Sequence, residues 1–68
     1  MNKFAERLKE LRVAKNLSRK QLAETLGTSV RTVSYWEAGA RECGFDMLIK
    51  LAQILDSTVD YLIGATEY

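Results

Sequence analysis

Side chains able to make directional polar contacts gather between Arg19 and Arg41 of this 68-residue chain. Arg19, Lys20, Arg31 and Arg41 are cations. An arginine presents a planar fork of N–H donors that matches paired acceptors, on a phosphate or along one base edge, and a lysine offers a point charge. Around Arg31 stand Val30, Thr32, Ser34 and Tyr35, side chains suited to close contact with a hydrogen-bonding surface. Bond-making chemistry has no comparable set. Histidine is absent, no glycine-rich phosphate loop occurs, and no carboxylates converge in a chain too small for a good pocket. Cys43 is the only cysteine, so an intramolecular disulfide is impossible and a zinc site lacks its usual ligands. It is expected to be a free, reduced loop thiol, with an intermolecular disulfide as the alternative. Neither an enzyme nor a metal, cofactor or small-molecule ligand is expected.

The elements that hold these residues are legible from spacing. Leu17–Gly39, LSRKQLAETLGTSVRTVSYWEAG, reads as two short helices joined at Gly27. Ser18 caps the first and Gln21 completes a capping box, while Leu17 and Leu22 form a hydrophobic staple. Gly27 suits the left-handed residue that ends this helix. Ser29 caps the second, about Ser29 to Ala38, whose inward face is Val33 and Trp36. VRTVSYW is rich in β-formers, but the flanking stop and cap signals, and the lack of any partner strand, favour helix.

Before this pair, Phe4, Leu8 and Leu11 make a helical stripe from Asn2, a cap candidate, to about Lys15, with Asn16 ending it. Glu6, Lys9, Glu10 and Arg12 are expected as surface pairs. After it, Phe45, Leu48, Leu51, Ala52 and Leu55, widened by Ile49 and Ile54, predict a fourth helix broken at Asp56 and Ser57. Thr58 caps a fifth carrying Val59, Leu62 and Ile63 and closed by Gly64. Five short helices, all-α, form one domain over residues 1–64, and residues 65–68 are a short tail with little to hold it.

Net charge is +1, yet residues 1–41 carry nine cations against four carboxylates and residues 42–68 one cation against five. The positive end contains the paired helices. No signal-peptide-like or membrane-spanning run occurs, which predicts a cytoplasmic protein.

On a helical wheel, Trp36 and Glu37 lie near the inward Val33 face, leaving Arg31, Ser34, Tyr35 and Ala38 outward with Val30 and Thr32 on the flanks. Such a face suits the B-DNA major groove, about 12 Å wide. Arg31 matches guanine O6/N7 bidentately, Val30 and Thr32 suit a thymine methyl, and Tyr35 a base edge or phosphate. Arg19 and Lys20 just after the cap oppose the helix dipole, a small cost that a phosphate bound there would offset. Arg41 is a second phosphate candidate.

Taken in order, L-S-x-x-x-L-A-x-x-L-G, S-x-x-T-V-S-x-W-E-x-G and L-x-x-L-A-x-x-L resemble the Cro/CI-type helix-turn-helix family, the phage-repressor-like or XRE-like transcriptional regulators. The resemblance covers roughly residues 3 to 63. It implies a compact five-helix, lambda-repressor-like fold whose third helix lies in the major groove, with groove-reading positions at Val30, Arg31, Thr32, Ser34 and Tyr35 and a phosphate contact at Arg19. It also implies an Arg12–Glu37 ion pair, consistent with the inward turn of Glu37 on the wheel. Ala38 and Ala40 depart from the family's common asparagine and lysine. Cys43–Gly44 replaces its proline–serine start of helix four, and Asp56 its glycine stop.

These readings predict a bacterial or phage repressor binding a palindromic double-stranded DNA operator as a homodimer, with no membrane partner. The acidic half, through Tyr61, Leu62 and Ile63, is the expected dimer contact, against the simpler reading that a monomer buries them. The alternative function is a protein-binding module on the same scaffold, antitoxin-like or antirepressor-like, with secondary or no DNA binding.

Overall fold

The computed structural model describes residues 2–68, which form α1 (Phe4–Ala14), α2 (Arg19–Leu26), α3 (Val30–Glu37), α4 (Phe45–Ile54) and α5 (Val59–Ile63), with no strand among the described residues. The all-α expectation holds, and the β-rich VRTVSYW run is helical. Its start explains why: the Ser29 side chain accepts from the Thr32 N–H and fixes the first turn. In α2 the Ser18 hydroxyl accepts from the Gln21 N–H (3.0 Å), and Gln21 Oε1 accepts from the Ser18 N–H (2.8 Å). Thr58 caps α5 in the same way. Gly44 caps α4 without a side-chain bond. At α1 the expected cap is displaced by one residue. Lys3 holds the cap position, and Asn2 reaches past it to accept from the Phe4 N–H at 3.0 Å.

All five helices end alike. A residue with positive φ follows the last turn: Asn16, Gly27, Gly39, Asp56 or Gly64. Beyond it, the next N–H bonds back to a carbonyl five residues earlier, Thr28 to Ala23 in the turn between α2 and α3 and Ala40 to Tyr35 after α3. These bonds satisfy carbonyls that a helix end otherwise leaves unpaired. Asp56 tolerates the left-handed region where glycine is favoured, and its carboxylate is tied to Lys15, which holds its pKa below the usual carboxylate range.

The core is Leu8, Leu22, Val33, Leu51, Leu55 and Leu62, all fully buried. Phe4 meets Trp36 edge to face at 6.4 Å. Through this core α3 packs on α1 and α2, α1 on α5, and α4 on α5 and α2. Among the described residues no helix is long and apolar enough to cross a membrane.

Four expectations are corrected. Phe45 belongs to the α4 stripe by spacing but is 85% exposed, because it occupies the first turn, beyond the point where other helices cover that face. Ile49 is also exposed. Arg12 is no surface residue, and Arg7, elsewhere on α1, is buried as well. Arg7 lies on the Phe4–Leu8 stripe, and its guanidinium runs under the C-terminus. There it donates to the carbonyls of Tyr61 (2.8 Å) and Thr66, stands 4.1 Å from the Tyr61 ring centroid, and approaches the Glu67 carboxylate. The tail is therefore held. Leu62 is wholly committed to the core, and Tyr61 is occupied by Arg7 and by a hydrogen bond from its hydroxyl to Glu10.

Replacing Arg7 by Ala should destabilise the fold by about 2 kcal/mol, the scale of hydrogen bonds made by a charged group. Amide exchange at residues 65–68 should rise together with the loss in thermal stability; tail amides as protected as before would mean that Arg7 does not hold them.

Candidate nucleic-acid interface

The geometry of α2 and α3 is fixed by one carboxylate. Glu37, the last residue of α3, has a side chain only 2% exposed. Arg12 of α1 grips it twice, Nε to Oε2 at 2.6 Å and Nη2 to Oε1 at 3.1 Å, and uses Nη1 on the Leu17 carbonyl at 2.8 Å. Arg19, the first residue of α2, donates from Nε to Glu37 Oε1 at 3.0 Å. A buried carboxylate is costly unless paired and hydrogen-bonded, and here it meets two guanidiniums from two other helices. The Arg12 link was expected from the resemblance; the Arg19 link was not. It spans 18 residues, and nothing in the local pattern of α2 announces it. It gives a second physical reason for a cation at a helix start that the dipole disfavours.

Around this anchor the structure brings together most of the residues singled out by sequence. Arg31 and Val30 are exposed at the start of α3, and Thr32, Ser34 and Tyr35 are half-buried on the same helix. The Thr32 hydroxyl is hydrogen-bonded to that of the Ser29 cap at 2.9 Å. Arg31 donates from Nε to the Tyr35 hydroxyl at 2.8 Å, one helical turn on. Arg41 folds back over the same ring, 4.7 Å from its centroid. Lys20 is exposed beside Arg19 at the start of α2, and Arg19 itself keeps 44% side-chain exposure while bonded to Glu37. Sequence reasoning missed the Arg31–Tyr35 bond and the Arg41 stack, although the i, i+4 spacing of the first pair was a usable signal.

Away from this face, Phe45 and Cys43 line a shallow apolar groove of about 550 Å³ with Phe4, Leu48, Val59 and Ile63. Partial burial pushes the Cys43 thiol above its ordinary pKa, assisted by the neighbouring Glu42 carboxylate, which disfavours the reactive thiolate. Among the described residues no His, Cys, Asp or Glu cluster is arranged to hold a metal ion.

The sequence profile described as helix-turn-helix matches residues 8–62, from the middle of α1 to α5. The chain belongs to the Cro/CI-type helix-turn-helix family. A relative within it is YobD, an uncharacterized HTH-type transcriptional regulator of Bacillus subtilis, 36% identical over 64 residues, which covers 94% of this chain and 57% of YobD. The chain thus spans little more than half the length of that relative. Among solved structures, a transcriptional regulator from Listeria innocua superimposes with a TM-score of 0.89 at 32% identity, over 100% of this chain and 64% of that one. SinR, a master regulator for biofilm formation solved in complex with DNA, does so with a TM-score of 0.80 at 28% identity, over 87% of this chain and 95% of SinR.

Glu37→Ala leaves Arg12 buried without its counter-charge and should destabilise the fold by about 3 kcal/mol. Chemical denaturation of the variant measures this, and an unchanged midpoint would mean that the buried pair contributes nothing net. Arg19→Ala should lose far less, because it removes the exposed partner only.

Proposed function

We propose that the chain is a sequence-specific DNA-binding transcriptional regulator of this helix-turn-helix family, acting as a repressor by occupying an operator, with α3 laid in the major groove. The observation that carries the reading is the free face of α3. It bears an exposed arginine and small apolar and hydroxylic groups, is flanked by Arg19, Lys20 and Arg41, and is held rigidly from behind by Glu37 and Trp36. A rigid, cationic, convex helix is what groove reading requires, whereas a protein-binding surface has no need of a cationic rim. Arg31 reads guanine, Val30 and the Thr32 methyl contact thymine, and Ser34 completes the base-facing set. Arg19, Lys20 and Arg41 contact phosphates. Arg19 reaches Glu37 through Nε, which leaves its terminal N–H groups for the backbone of DNA.

Two copies act together on a palindromic site. One molecule measures 28 Å along its longest axis, less than the roughly 34 Å between half-sites one helical turn apart. With Leu62 committed to the core, an apolar surface open to a second copy is the groove that Phe45 and Ile63 border.

Selection of bound sequences from a random duplex library tests this reading directly. It should return a two-fold repeat containing a guanine position that disappears in Arg31→Ala, at a cost of about 1–3 kcal/mol in affinity for that site. An unchanged motif would remove Arg31 from the reading set, and an absence of any salt-sensitive duplex binding would favour the protein-binding alternative.

Arg19→Ala should weaken all duplexes alike and flatten the dependence of affinity on salt by roughly one unit, the signature of one lost phosphate contact. A loss confined to the selected sequence would contradict that role.

A further inference from the structure

Tyr35 has the size and position of a base reader, but its hydroxyl oxygen already accepts a hydrogen bond from within α3. Arg31 Nε donates to it at 2.8 Å, and the Arg31 guanidinium carbon lies 5.5 Å from the ring centroid. The ring is fixed in turn. Tyr35 is half-buried, its carbonyl accepts from the Ala40 and Arg41 N–H groups that close α3, and the Arg41 guanidinium lies against the ring. A side chain so anchored is a support for the more mobile one resting on it.

We propose that Tyr35 is a positioning residue for Arg31, holding its guanidinium for guanine, and is not itself a reader of bases. The inference rests on the DNA-binding reading above. An exposed arginine normally samples many rotamers, and ordering it at a base edge forfeits that freedom. The Tyr35 hydroxyl takes up the Nε–H and leaves the terminal N–H groups, which form the donor pair that guanine O6 and N7 accept. Adenine presents N7 beside an N6–H donor, so a guanidinium held in one orientation meets a donor where it needs an acceptor. A freely rotating arginine escapes this mismatch by swinging to a phosphate. Restraint therefore converts a general cation into a discriminating one.

Tyr35→Phe keeps the ring, and with it the stacking of both guanidiniums, and deletes the hydroxyl, whose acceptor function is told from its donor function by the comparison with and without Arg31. Duplexes differing at the single base pair read by Arg31 are competed against one another for the wild type, Tyr35→Phe, Arg31→Ala and the double variant, alongside random duplex. The guanine preference should fall roughly three- to tenfold in Tyr35→Phe, the range for losing one hydrogen bond of ordinary net strength at a partly exposed site. Melting temperature and affinity for random duplex should be unchanged. In the Arg31→Ala background the same substitution should alter nothing. Retention of the full guanine preference in Tyr35→Phe overturns the proposal. An equal loss with and without Arg31 also overturns it, by making Tyr35 a direct DNA contact. Failure of the wild type to bind random duplex at all would instead defeat the DNA reading on which the proposal stands, and the two failures are told apart by that measurement.

Discussion

A single carboxylate joins three helices. Glu37 ends α3, and the two guanidiniums that neutralise it come from the last turn of α1 and the first residue of α2. In a chain of this length the hydrophobic core is small, and apolar contacts alone tolerate sliding of one short helix over another. Directional bonds at the crossing point do not. Two oxygens receive three N–H donors, so the crossing angles are specified at the end of α3 and propagate along its eight residues to the exposed face. Desolvating these charges costs free energy, and what is obtained for it is orientation more than stability.

The same triad shapes the electrostatics. Arg12 and Arg19 against Glu37 leave one net positive charge, carried by the partly exposed Arg19 at the start of α2. At the candidate interface the charge open to solvent is carried by Arg19, Lys20, Arg31 and Arg41. In the other half, Lys50 approaches the Leu26 carbonyl at the end of α2. A cation there suits the negative end of that helix.

Helix starts and stops were legible in the sequence because each is decided by a few neighbouring residues. Ser18 with Gln21, Ser29 and Thr58 behave as their local chemistry dictates, as do the left-handed stops at Asn16 and the glycines. The expected contents of the core follow from the same periodicity, with Phe45 and Ile49 as the failures: spacing identifies a face but not how much of it the neighbouring helices cover. Charged residues were read least well. Arg7 sits among surface-type residues on α1, and only the fold brings it to carbonyls more than fifty positions away, whereas the Arg12–Glu37 pair was expected from the family resemblance. At the candidate interface, the identity of the outward residues was legible from the helical wheel. The placement of the flanking cations was not, because Arg19 depends on a contact from α3, and Arg41, in the connection after α3, folds back onto Tyr35.

The local character of the α3 ends has a consequence for how such a protein diversifies. Its start is secured by Ser29 and its stop by Gly39, with Trp36 and Glu37 supplying the inward grip. None of these is among Val30, Arg31, Thr32 and Ser34. The outer surface of the helix is thus a replaceable cassette in a fixed mount, and substitutions there can change what is recognised while leaving the scaffold almost untouched. Tyr35 is the exception. Its ring and carbonyl belong to the mount and its hydroxyl to the cassette, so exchange of Arg31 for another residue frees Tyr35 to take on a new role without refolding anything.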